Sequence, residues 1–232
     1  MQYPAIRFSR FLSELRTKGF IPAAKHTVDF IYRRTVVSFT ESRFDRKWGV
    51  ETIERVTHPQ DSANPLHLSA EPYEATPLKT LHQIMRSMAG IGPSQFAFFD
   101  MGCGKGRALI VAADCSFKRV VGVEFCPHLA KIAEDNVQRP QFKNGLETKI
   151  EIVCMDAAHY EFPDEDAVIF FGNPFNEEIM SNVLKNIRAS ARTSKNRYIV
   201  YYNPVLKKLL SDPKRFVLIE NIKRVSIYRM VL

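Results

Sequence analysis

Asp100, Gly102, Gly104 and Gly106 occupy alternate positions within "FAFFDMGCGKGRALIVAADC", Phe96 to Cys115. An apolar run precedes them and apolar helix formers follow. Glycine lets a chain turn tightly and lets its backbone approach a ligand with no Cβ between. The helix after such a turn presents unpaired N–H groups and the positive end of its dipole. That end suits a phosphate or a carboxylate. The acid ahead of the turn suits a ligand with an ammonium group better than a pyrophosphate. Lys105 and Arg107 flank the glycines. One of them reaches a ligand carboxylate, or both begin a solvated helix.

Spacing separates the candidate ligands. A dinucleotide turn follows G-x-G-x-x-G. Counted from Gly102, its third glycine would fall at Arg107. No G-x-x-x-x-G-K-[ST] phosphate loop occurs. Three later points carry polar groups after apolar runs: Glu124 closing "VVGVE", Asp156 after "IEIVCM", and Asn173-Pro174-Phe175 after "VIFFG". His82, His128 and His159 have the chemistry of general bases, but no pattern requires any of them. His128 follows Pro127 at a helix start, and His159 closely follows Asp156.

The elements that must position these groups alternate from Thr76 onward. Thr76 is read as the N-cap of a helix, with Pro77 in its first turn and Gly90 as its stop. Strands are expected at Phe96–Asp100, Val120–Glu124, Ile150–Met155, Ala167–Phe171 and Arg197–Tyr202. Helices are expected at Lys105–Asp114, Pro127–Asn136, Glu177–Arg188 and Val205–Leu210. The end, "RFVLIENIKRVSIYRMVL", reads as an antiparallel hairpin with its break near Glu220–Lys223. Short apolar strands with helical crossovers imply a parallel sheet covered on both faces. The site groups then fall at successive carboxyl ends of strands, where open α/β sheets bind ligands.

Residues 73–232 therefore form the working domain. Residues 1–72 read as a basic, mainly helical N-terminal extension. Phe8, Phe11, Leu12 and Leu15 recur at helical spacing among Arg7, Arg10, Arg16 and Lys18. The favoured reading packs that helix onto the main domain; the other lays it on a membrane or an acidic partner. His58 to Pro72 reads as a loop or linker.

The 232 residues carry a formal net charge of +8 and a sequence pI near 9.3, which favours anionic partners. The 4 cysteines include no CxxC pair and no zinc spacing, so no metal is expected and free thiols in a reducing compartment are. No apolar run approaches the ~20 residues that span a bilayer. The first residues lack the apolar core of a secretory signal. A soluble, cytoplasmic protein is the expectation.

"DMGCGKGR" resembles the first motif, D/E-x-G-x-G-x-G, of the class I S-adenosylmethionine-dependent methyltransferases. The resemblance covers about Tyr73 to Leu232. It implies S-adenosylmethionine as cofactor, held around Asp100, Gly102, Cys103, Gly104 and Gly106. It implies that Glu124 takes the ribose hydroxyls, that Asp156 accepts from the adenine amino group with Ala157 also at the cofactor, and that Asn173, Pro174 and Phe175 lie near the transferred methyl, Asn173 also meeting the cofactor. It implies an α/β fold: a doubly wound, mostly parallel seven-stranded sheet with an antiparallel C-terminal hairpin, the seventh strand between the fifth and sixth. "YEATPLKTLHQIM" with "VIFFGNPF" is similar to the Dot1-like and related seven-strand lysine methyltransferases. That likeness adds Tyr73 to the catalytic set and Thr76 to the cofactor set. "FDRKWGVETIE" is similar to the leader of small bacterial methyltransferases. Asn-Pro-Phe also resembles the (D/N)-P-P-(Y/F) motif of amino-group methyltransferases, with one proline missing.

The function this implies is methyl transfer to an amino nitrogen, of a protein lysine or of a small molecule. An RNA or DNA methyltransferase is the alternative, favoured by the basic first 70 residues. An NAD(P)-dependent oxidoreductase and a non-catalytic module on a cofactor fold are the further alternatives.

Overall fold

The computed structural model describes residues 38–54, 73–139, 148–193 and 196–231. The expectations placed on Phe8 to Lys18 and on His58 to Pro72 lie outside them. By its internal contacts the chain divides between Phe44 and Asp45, and the unit from Asp45 to Leu232 carries the sheet.

Seven strands form that sheet: β1 Ala97–Met101, β2 Arg119–Glu124, β3 Ile150–Cys154, β4 Ala167–Phe171, β5 Arg197–Tyr202, β6 Phe216–Ile222 and β7 Val225–Met230. Their order is β3-β2-β1-β4-β5-β7-β6. The first five run parallel, and β7 is antiparallel to both neighbours. The helices are α1 Ser38–Trp48, α2 Leu78–Met88, α3 Arg107–Asp114, α4 Pro127–Val137 and α5 Glu177–Ser190. This is the α/β sheet expected, with the last strand inserted between the fifth and sixth.

Continuous apolar runs put the central strands where both faces are covered. Every residue of β1 and of β4 is buried. Alternation sends Phe99 and Ile169 to one face, where they join Met180, Val183 and Ile187 of α5 in one core. Phe98 and Phe170 take the other face, their rings stacked at 6.2 Å. Burying each such side chain contributes about 1.5–3 kcal/mol relative to leaving it exposed.

The boundaries shift where backbone chemistry decides them. Helix α3 starts at Arg107 rather than Lys105, because Gly106 takes a left-handed φ of 84° and stands as its N-cap. Helix α2 has Pro77, not Thr76, in the N-cap position, with no side-chain cap. Pro77 offers its carbonyl to the N–H groups of Thr80 and Leu81. The stop is Gly92, φ 74°, reached through the 3₁₀ turn Ala89–Ile91, rather than Gly90. After β5 the expected short helix is the 3₁₀ turn Lys207–Leu210. The C-terminal hairpin turns at Lys223–Arg224, with Lys223 at φ 52°. The break thus comes later than Glu220, since β6 runs on to Ile222, and a bulge between Leu218 and Glu220 interrupts its register.

The strand order reverses between β1 and β4, since one neighbour chain runs β1-β2-β3 and the other β4-β5. At such a switch point the loops after the two strands diverge and leave a crevice. The loops here are Gly102 to Gly106 and Gly172 to Phe175.

Candidate active site

Met101 pairs with Phe171, so the two loops leave the sheet side by side. Gly102 adopts φ 85°, and a Cβ built on it would lie 2.5 Å from Pro174 Cβ. No side chain fits there unless Pro174 moves. Gly104 adopts φ 53°, and the Tyr73 ring occupies the place its Cβ would take. Tyr73 is held in turn by its hydroxyl, which donates to the Thr52 carbonyl at 2.9 Å. The glycine turn is thus covered on one side by Pro174 and on another by Tyr73, two of the residues expected near the reacting centre.

Two buried acids flank the turn. Glu124, 4% exposed, accepts from the Gly104 N–H at 2.8 Å through Oε2 and from the Cys126 N–H at 3.0 Å through Oε1. Burial pushes its carboxyl up, and the backbone N–H groups of Cys126, Gly104 and Phe125 partly offset this. A carboxylate oxygen accepts more than one hydrogen bond, so Glu124 retains acceptor capacity. Asp100, also 4% exposed, is pushed up to about 8 by burial first and by Glu124 second. Cys103, between them, is buried and its thiol is pushed up for the same reasons.

Lys105 and Arg107 do not begin a solvated helix; both are buried and turn to the segment that precedes the sheet. Lys105 is 1% exposed and bonds both oxygens of Glu51, at 2.7 and 2.8 Å. Asn136 of α4 donates to the Lys105 and Glu51 carbonyls and accepts from the Glu51 N–H. The Arg107 Nε donates to Thr52 Oγ1 at 2.8 Å, and Thr52 donates to Asp45. Residues 45–54 thereby form a strap along the outside of the glycine turn. Asp45, Glu51, Thr52 and Asn136 were not singled out from sequence. The only signal was the isolated "FDRKWGVETIE", whose contacts come from 54 residues further on.

At the end of β4, Asn173 takes φ 62° and its Oδ1 accepts from the Tyr201 hydroxyl at 3.0 Å. Phe175 packs edge-on against Phe171, ring centroids 6.2 Å apart. Thr76 does not cap α2; its Oγ1 lies 3.4 Å from where a Cβ on Gly172 would be. Further along the crevice Asp156 caps the 3₁₀ turn Ala157–His159 by accepting from the Ala158 N–H at 2.9 Å. Ala157 is buried. His82, His128 and His159 are all exposed, and His159 Nδ1 lies 3.5 Å from Asp156 Oδ2. Tyr201, the partner of Asn173, is the residue of this side that sequence reading missed.

A family profile described as "Methyltransferase domain" matches residues 98–194. A curated protein-lysine N-methyltransferase of Saccharolobus islandicus is 26% identical over 136 residues, covering 57% of this chain and 81% of that protein. Over residues 98–194 the chain is thus similar to the methyltransferase family. Its fold is shared with a proposed RNA methyltransferase of Pyrococcus horikoshii, at TM-score 0.55 and 17% identity over 81% of this chain and 94% of that one. A proposed methyltransferase of Escherichia coli overlays at TM-score 0.54 and 11% identity, covering 69% of this chain and 90% of that one.

The methyltransferase family implies S-adenosylmethionine as methyl donor. The site's chemistry fits such a molecule. Asp100 and Glu124 are both buried, both pushed up, and no cationic side chain among the described residues counters the burial of either. A ligand bearing an ammonium group and hydroxyl donors would supply what these carboxyls lack. A pyrophosphate would add negative charge beside them. Among the described residues, no three His, Cys, Asp or Glu side chains gather to hold a metal ion, and no helix is long and apolar enough to cross a membrane.

Proposed function

We propose that this methyltransferase uses S-adenosylmethionine to methylate an amino nitrogen, with the lysine side chain of a protein as its acceptor. The observation that carries the reading is Asn173. It stands at the end of β4, beside the contact between Gly102 and Pro174, and its Oδ1 is oriented by Tyr201. The name of the Saccharolobus islandicus relative supports the choice of lysine.

S-adenosylmethionine, when bound, supplies a methyl group on a positively charged sulfur that is already activated for displacement. The chain's own residues hold, orient and exclude water. Gly102, Gly104 and Gly106 give backbone without side chains in the way, and Cys103 adds its backbone between them while its thiol turns to Gly122. Asp100 takes the ammonium end, and Glu124 takes the ribose hydroxyls with its remaining lone pairs. Asp156 and Ala157 border the adenine, and Thr76 backs the strand end at Gly172. An amine must lose its proton before it attacks. Asn173 Oδ1 and the Pro174 carbonyl are acceptors rather than bases, so they orient an amine that arrives neutral. Phe175 and Tyr73 form the walls of the slot, which serves alignment and exclusion of water.

The test is transfer of labelled methyl from S-adenosylmethionine into a cell extract. Label in protein, recovered as methyl-lysine after hydrolysis, is the expected result. Label removed by ribonuclease would replace lysine with RNA as the acceptor. In the same assay Asn173→Ala lowers turnover by at least tenfold and leaves S-adenosylhomocysteine affinity within about twofold. Unchanged turnover removes Asn173 from the reaction.

A further inference from the structure

We infer that Tyr201 is a positioning residue for the acceptor site, fixing which atom of the Asn173 side chain faces the reaction. The inference rests on the reading of Asn173 as the amine-orienting group.

In the structure the Tyr201 hydroxyl donates to Asn173 Oδ1 and accepts from the Leu206 N–H. The Leu206 N–H donates to the Tyr201 hydroxyl at 3.4 Å. A backbone N–H can only donate, so the phenol oxygen accepts there and keeps its own single proton for another partner. That partner is Asn173, 3.0 Å away. The atom facing a donor must be the amide oxygen, not the nitrogen. An asparagine amide without such a neighbour is free to flip, and a flip would present two donors to an amine that needs acceptors. The Tyr201 bond removes that option and leaves the second lone pair of Oδ1 for the incoming N–H.

The support behind the bond is rigid. Tyr201 is 1% exposed and lies in β5, whose residue Tyr201 pairs with Phe171 of β4. Its ring packs edge-on to Phe171, centroids 6.0 Å apart. Burial pushes the phenol up from its ordinary value, so it remains a donor throughout the neutral range. Asn173 itself holds a left-handed φ of 62°, a conformation Asn tolerates better than most residues. Strand β5 and the turn after it therefore belong to the acceptor site, although neither carries a residue that would touch the cofactor.

The experiment compares wild type, Tyr201→Phe, Asn173→Ala and the double variant. The first readout needs no acceptor. The side-chain amide resonances of Asn173, identified by their loss in Asn173→Ala, are expected to shift or broaden in Tyr201→Phe. The second readout is methylation of poly-L-lysine. Tyr201→Phe is expected to lower kcat about tenfold, with KM and S-adenosylhomocysteine affinity within twofold. The double variant is expected to match Asn173→Ala, because residues that act through one another are non-additive. Unmoved amide resonances in Tyr201→Phe overturn the inference. So do losses that multiply in the double variant. A normal Tyr201→Phe beside a crippled Asn173→Ala sinks the inference alone and leaves the amine reading standing. A fully active Asn173→Ala sinks both.

Discussion

Lys105 reaches back 54 residues to Glu51, its Nζ 2.7 Å and 2.8 Å from the two carboxylate oxygens. The ammonium is buried, whereas the Glu51 side chain is 48% exposed. The glycine turn is thus anchored from outside by a residue that precedes the sheet entirely. Breaking such a pair from the acidic side leaves a buried charge without its counter-ion. Glu51→Ala is expected to destabilise the fold by about 1–3 kcal/mol, reduced from the fully buried case by solvent at Glu51. Lys105→Met, which removes the buried charge, is expected to cost less. Denaturant unfolding of the two variants decides the order.

The raised carboxyl of Asp100 sets two pH dependences. Its folded value of about 8 lies above the unfolded value of 3.8. Between these values the folded chain holds a proton that the unfolded chain has released. Stability therefore falls as pH rises from about 4 to about 8, and levels off above. A cationic ligand needs the ionised carboxylate, so its binding at pH 7 should expel that proton. Calorimetry of S-adenosylhomocysteine in two buffers of different ionisation enthalpy should show proton release. Asp100→Asn should abolish the release and flatten the fall in melting temperature.

Glu124 joins the glycine turn to β2 by accepting from the Gly104 and Cys126 N–H groups. Glu124→Ala is expected to weaken S-adenosylhomocysteine by about 1–3 kcal/mol, the cost of hydroxyls left without an acceptor. Titration calorimetry at one fixed pH measures it. Affinity equal to wild type would take the ribose role away from Glu124.

A methyl group on Gly104 meets two obstacles, the positive φ and the Tyr73 ring. Gly104→Ala should lower both the melting temperature and S-adenosylhomocysteine affinity, by more than about 1 kcal/mol in stability. Adding Tyr73→Ala clears the ring but leaves the backbone strain. Partial recovery of melting temperature in the double variant is the expected result, and none would mean the strain alone is responsible.

The central sheet was legible because its strands are short, apolar and punctuated. Ala167–Phe171 and Arg197–Tyr202 fall where the residues alone place them. The inserted seventh strand was not legible from periodicity; only the family likeness carried it. Helix starts went astray wherever a glycine or proline backbone overrode propensity, at Gly106 and at Pro77. The acids of the site were visible because each closes an apolar run. The pairing of Lys105 was not among the readings, a ligand or a solvated helix start, because its counter-ion Glu51 is 54 residues away in sequence. Tyr201 was invisible because, within "RYIVYY", nothing marks one aromatic strand residue as a hydrogen-bond donor to a loop 28 residues earlier.

The 2.5 Å separation between Pro174 and the missing side chain of Gly102 also bears on how such an enzyme can diverge. The glycine turn after β1 and the turn after β4, proposed to hold the donor and to meet the acceptor, share one wall. A lineage drifting toward a new acceptor by altering the loop after β4 must keep a residue that lies flat on glycine. Equally, no substitution at Gly102 is tolerated without a compensating change at Pro174. Acceptor range in this lineage should therefore change through paired substitutions at these two positions, or through residues further out that leave the shared wall alone.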